Sequence, residues 1–255
     1  TTLEVNKLEK LDQLIQYRLA NENNLLEVAV SSGLSFNGET IQPLDFSDIS
    51  EEDMPELSKR TAFANGAAMQ YNKEEPQFFF KSEKQQIANI INSGSEEDLK
   101  NLMINISAMG GDSSYAAFSQ ISDVSDSAAG FSQLGTLYNI TGPNPNIDAA
   151  IKAHSLRNDP TTQAILKQFN PNVEFKLSNI KIDNFGILQN SPSLDTRGAY
   201  SMYSQAADMI FEGMILNSNL NKKYDSGQVP INDAISMMQD AVQIAAGYTN
   251  GYGGI

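Results

Sequence analysis

Helix punctuation constrains this chain more than any other feature. Residues that open helices and residues that close them recur at short intervals, and apolar side chains between them repeat every three or four positions. Ser95 with Asp98 fits a capping box ahead of Leu99, Leu102, Met103 and Ile106. Ser82 with Gln85 reads as another, ahead of Ile87, Ile90 and Ile91, with Gly94 as the left-handed residue that ends the turn. Pro55 stands near the start of a helix expected to run from about residue 54 to Tyr71, with a small-residue face over Ala62–Ala68. Gly110-Gly111 is a stop. Ser113 or Ser114 opens a short helix with Tyr115, Phe118 and Ile121, and Ser125 opens one with Ala128, Phe131, Leu134 and Leu137. Asn146 is expected to cap a helix bearing Ile147, Ala150 and Ile151, and Asp159-Pro160 starts the next. A long helix is expected from about Asp195 to Leu220, and a last one from Pro230 to a stop at Gly247.

The fold class this implies is mainly α, a bundle-like array of short antiparallel helices, with a minor β-hairpin. The hairpin rests on Asn37-Gly38, a turn signal between Leu34-Phe36 and Thr40-Ile41. A second extended stretch is expected around 173–180, where Val173, Phe175 and Leu177 alternate. Three regions follow: 1–48, an amino-terminal helix plus the hairpin-like segment; 49–140, a helical subdomain; and 146–255, a helical subdomain with an extended tract at 170–194. The Gly/Pro/Asn break at Thr141–Pro145 divides the last two. The aromatic run Phe78-Phe79-Phe80 cannot face one side and is expected to be wedged between layers.

The amino-terminal helix is amphipathic, with Leu8, Leu11, Ile15 and Leu19 on one stripe and Thr1 with Glu4 as its capping box. That stripe is the expected interaction face. Packing back on the chain's own body is the competing expectation.

Composition removes several function classes. The 255 residues contain no cysteine, so disulfides, thiolate metal sites and a cysteine nucleophile are all ruled out. One histidine, His154, makes a two-histidine metal site impossible, and no serine sits in a G-x-S-x-G elbow. Thirty-one acidic against 17 basic residues give a net charge of −14, which repels phosphate backbones. No nucleic-acid contact, cofactor or metal is expected, and no run approaches the ~20 apolar residues of a membrane span. Residues 1–25 lack the apolar core of a signal peptide, and the Gly/Tyr/Asn-rich stretch Tyr248–Ile255 reads as a cut within a longer polypeptide.

Paired carboxylates need neither cysteine nor histidine and could cleave glycosides. The candidates are Glu51, Glu52 and Asp53, and Glu96, Glu97 and Asp98. Both clusters sit where helices begin, and there the macrodipole and unpaired N–H groups favour carboxylates. Capping is the stronger reading, so no catalytic residue is assigned.

The central block resembles a region of the very large internal virion proteins (ejection or inner-core proteins) of tailed bacteriophages. The similarity is carried by Arg60-Thr61-Ala62, Gln77-Phe78-Phe79-Phe80, Ser82-Glu83-Lys84-Gln85 and Gly94-Ser95-Glu96-Glu97. It continues through Ala108-Met109-Gly110-Gly111 and Phe118-Ser119-Gln120-Ile121 to Leu156-Arg157, covering about residues 50–250. Residues 1–48 lie outside it. The resemblance implies a non-catalytic helical segment of a larger polypeptide, housed in the virion interior and delivered to the host cell envelope with the genome. Its implied partners are other internal virion proteins or copies of itself. Proteins of that family often carry a murein lytic transglycosylase elsewhere, marked by a Glu-Ser pair. No Glu-Ser occurs here, so no catalytic residue is carried over. Two other readings stay open: a peptidoglycan-cleaving enzyme using acidic residues, and a secreted effector or adhesion module. Outside a virion the chain would be expected in the cytoplasm.

Overall fold

A computed structural model describes residues 5, 7–8, 10–11, 14–15, 24–35, 38, 40–49, 53–169, 196–218 and 231–245. The fold is mainly helical, and ten helices have defined bounds among those residues. They are α1 (Leu25–Ser31), α2 (Met54–Gln70), α3 (Lys81–Ser93), α4 (Glu96–Ser107), α5 (Gly111–Ile121), α6 (Ala128–Thr141), α7 (Pro145–Ser155), α8 (Pro160–Phe169), α9 (Thr196–Asn217) and α10 (Ile231–Ala245). The described residues between 5 and 15 are helical as well.

The helices begin and end for local reasons. At α4, Ser95 Oγ accepts from the Asp98 amide at 3.2 Å, and Asp98 Oδ2 accepts from the Ser95 amide at 2.8 Å, closing the expected capping box. Three starts differ from expectation. Helix α3 begins at Lys81, so Ser82 lies inside it, and Glu83 is the residue that reaches back to the Phe80 amide, at 2.7 Å. Helix α7 is capped by Asn144 with Pro145 in its first turn, rather than by Asn146. Helix α5 starts at Gly111, ahead of both serines. Gly94 ends α3 in an extended conformation, with φ −67°, so the left-handed conformation is not its reason. A Cβ there would fall 2.6 Å from the Ile90 carbonyl oxygen, which is a close-approach reason instead.

No strand occurs among the described residues, so the hairpin expected near 34–42 is not shown. The backbone donors of the following segment are satisfied elsewhere: Leu44 donates to Glu83 Oε1 at 2.6 Å, and Phe46 to Gln86 Oε1 at 3.0 Å. Residues 40–46 are thus an extended strap laid over α3, and side chains supply what a neighbouring strand would have supplied. The extended tract expected at 170–194 lies outside the described residues.

One apolar cluster runs through the described body, from Leu25 and Leu26 in α1 to Val242 and Ala245 in α10. Helix α9 is its axis, packing against α6, α7, α8 and α10. Its approach to α7 is close because Gly213 faces the backbone there: a Cβ on Gly213 would lie 2.6 Å from the Ala150 nitrogen. Polar pins set the register. Gln205 accepts from the Gly130 amide at 3.1 Å, and Gln133 donates to the Ala245 carbonyl at 3.0 Å. Since α6 precedes the Thr141–Pro145 break and α9 follows it, these contacts cross the break.

Phe78, Phe79 and Phe80 are all buried, as the wedge expectation required. Their backbone forms no ladder, and side chains take both backbone groups of Phe78 and the amide of Phe80. Gln120 bonds Pro76 O and the Phe78 amide, Arg60 donates to Phe78 O at 3.2 Å, and Glu83 takes the Phe80 amide. Arg60 and Glu83 are themselves fully buried, with Nη1 to Oε1 at 2.6 Å. Arg60 Nη2 donates to Gln42 O at 2.6 Å, and its guanidinium lies 5.3 Å from the Phe80 ring centre. Burial pushes the Glu83 carboxyl above the usual carboxylate range, while Arg60 and the amides of Leu44 and Phe80 pull it back.

A buried pair of this kind is costly to break and cheap to replace. Arg60→Met alone is expected to cost ~3–5 kcal/mol, because Glu83 is left as an uncompensated charge. The double variant Arg60→Met/Glu83→Leu should recover most of that loss. Urea unfolding midpoints of the two variants check this.

Candidate functional site

The expected interaction face is the first place to look. Of its four residues, Leu8, Leu11 and Ile15 are helical and exposed, at 65%, 55% and 44%, and Leu19 lies outside the described residues. Val5 and Leu14 join them at 52% and 42%. Five large aliphatic side chains in water on one short helical stretch are an unusual surface feature, because such patches mark contact sites more often than ordinary surface.

The Glu96–Asp98 cluster behaves as a helix start. Asp98 closes the α4 capping box, and its hydrogen bonds with Ser95 hold its carboxyl below the ordinary range. Glu96 accepts from Lys100 Nζ at 2.8 Å, and the same ammonium lies 3.4 Å from Asp148 on α7. Asp53 is the residue before α2, while Glu51 and Glu52 lie outside the described residues.

His154 is a packing residue. It is buried on α7, and its Nε2 is 2.7 Å from Ile91 O, at the end of α3. Desolvation lowers its pKa, so it favours the neutral form. Arg157, one turn on, ties three helices together: it donates to Asn92 O at 2.7 Å and to Ser127 Oγ, which precedes α6.

The titratable pair that sequence reading missed is on α9. Asp208 and Glu212 stand four residues apart, one turn of the same helix. Burial, reinforced by the Asp208 charge and opposed by Arg157, pushes Glu212 up to about 7. Asp208 has an exposed side chain, yet the crowding of protein around its carboxyl raises it to about 6, and solvent access limits what that contributes to stability. An acid held near neutrality is a proton donor in waiting, the property a general acid needs. Among the described residues no group of three or more His, Asp or Glu side chains could hold a metal ion, and no helix is long and apolar enough to cross a membrane.

No protein family, curated protein or solved structure matches the chain.

The raised Glu212 pKa has a definite sign. The folded state holds this proton more tightly than the unfolded chain does, so the stabilisation is complete below about 4.5 and disappears as pH rises through about 7. Glu212→Gln should therefore be more stable than the parent at pH 8, by on the order of 1–2 kcal/mol after solvent screening, with the gap closing towards pH 4.5. Unfolding midpoints across that range read it directly.

Proposed function

We propose that this chain is a structural segment that works by binding other protein chains, as part of an internal virion protein of a tailed bacteriophage. The observation that carries the contact role is the exposed aliphatic face of Val5, Leu8, Leu11, Leu14 and Ile15. A chain with an acidic balance of −14 has little use for such a face towards nucleic acid, whereas it suits the dry centre of a protein interface. The virion setting rests on the resemblance of residues 50–250. In this reading the segment catalyses nothing itself, sits in the virion interior, and travels to the host envelope with the genome. Its partners are other internal virion proteins or copies of itself.

A second reading, peptidoglycan cleavage by acidic residues, would draw on α9, where Asp208 and Glu212 stand one turn apart. Glu212, held near 7 beside Asp208, is the kind of acid that peptidoglycan cleavage would require.

Mass spectrometry of purified, nuclease-treated particles separates the two. The structural reading expects peptides of this chain, protected from external protease, in stoichiometric amounts. A free protein outside any particle that clears a murein zymogram, and loses that activity in Glu212→Gln, would establish the enzyme instead.

A further inference from the structure

His154 does more than fill space at the end of α3. Its Nε2 lies 2.7 Å from Ile91 O, and a carbonyl oxygen only accepts, so Nε2 carries the ring proton. Nδ1 is then a bare lone pair. It faces Arg157, whose Nη1 donates to it at 3.5 Å. A second ring proton has one place to go, Nδ1, and there it would meet the N–H of a side chain that stays cationic at any working pH.

The Arg157 guanidinium is a clip. Its Nη2 donates to Asn92 O at 2.7 Å and its Nη1 to Ser127 Oγ, the residue before α6. Helix α3 has no basic residue in its own last turn, and the Ser95 amide is turned to Asp98. Two successive carbonyls at that helix end, Ile91 O and Asn92 O, are thus taken by His154 and Arg157, where a cation is also favoured by the helix dipole. His154 is buried, whereas Arg157 is only half-buried and has water to move into.

Among the described residues, the charge that bears on His154 is that of Arg157. Helix α6 has no charged residue, and those of α3 lie in its first turn. On α4, Lys100 is held by Glu96 and lies beside Asp148, in the first turn of α7 and away from His154. From α9, Glu212 pulls on Arg157, with Asp208 behind it. Glu212 takes up its proton at about 7. On acidification the guanidinium therefore loses that counter-charge first, and burial and Arg157 keep the ring neutral to a lower pH. We infer that His154 is a proton-operated release for the clip: a proton on Nδ1 drives Arg157 off the end of α3 and the start of α6 and out into water. The ring keeps Ile91 O, so the release loosens one joint between helices and leaves the core packed.

His154 is the single histidine, so its ring signals in a solution spectrum of the full 255-residue chain need no assignment. Arg157→Lys identifies the guanidinium signals of Arg157. The ring should titrate with a midpoint below 6.5. Across that same midpoint the Arg157 side-chain N–H protons should lose about tenfold in protection from exchange, measured against free arginine. His154→Gln keeps a donor for Ile91 O and gains no proton, so Arg157 should stay protected to lower pH in that variant. Arg157 protection that is unchanged while the ring titrates would overturn the release. So would its loss at the same pH in His154→Gln, or a ring midpoint at or above 6.5, since no cation would then be opposing the proton. Should His154→Gln fail to fold, the parent's two titrations decide alone, because the release requires their midpoints to coincide.

Discussion

A fully buried arginine and glutamate sit where the amino-terminal half of this protein could most easily have come apart. Arg60 on α2 and Glu83 on α3 are each bonded to the other and to backbone that has no ladder of its own. The strap at 40–46 and the connector at 76–80 would otherwise bury unpaired N–H and C=O groups, at a cost of ~1–3 kcal/mol each. One ion pair therefore serves four segments: α2, α3, the strap and the aromatic wedge. Phe46 and Phe79 then meet edge to face, with ring centres 5.6 Å apart, only because the strap has been drawn down over the connector. The pair acts here chiefly by fixing which backbone lies where.

The other half is organised by packing instead. Helix α9 lies among α6, α7, α8 and α10, with Ala206 and Ala207 buried and Gly213 against the backbone of α7. Its two carboxylates are the charged groups this arrangement accommodates least comfortably. Glu212 is held back from ionising because burial, reinforced by Asp208, outweighs the opposing charge of Arg157. His154, buried and biased to the neutral form, works in the opposite sense as the pH falls. Glu212 and His154 thus give this half pH responses of opposite sense.

The helices were legible in the sequence wherever the signal was local. Spacing alone marked Leu99, Leu102, Met103 and Ile106 as one buried stripe, and Ser95 with Asp98 as its cap. Errors arose where a local pattern competed with a distant partner. Ser82 with Gln85 imitates a capping box, yet Glu83 is drawn to Arg60, 23 residues away in sequence, and its other oxygen caps the helix from Phe80. Asn37-Gly38 signals a hairpin, but the amides of Leu44 and Phe46 bind side chains 39 and 40 residues on. Asp208 and Glu212 look like an ordinary solvent face, because their crowding comes from tertiary packing that periodicity does not reveal. The amino-terminal stripe was plain from its spacing, and its exposure is what the structure adds.

Among the described residues the aliphatic stripe of Leu8, Leu11 and Ile15 is exposed, and the account of function depends on the contrast between that face and the buried core. Residue-resolved hydrogen exchange, run at low and at high protein concentration, tests it most directly. The account predicts that the amides of Leu44 and Phe80 exchange slowly at both concentrations, being held by Glu83. The amides of Leu8, Leu11 and Ile15 should exchange fast in dilute protein. Protection of those three at the lowest concentration would contradict it, because the face would then already be covered by the chain itself.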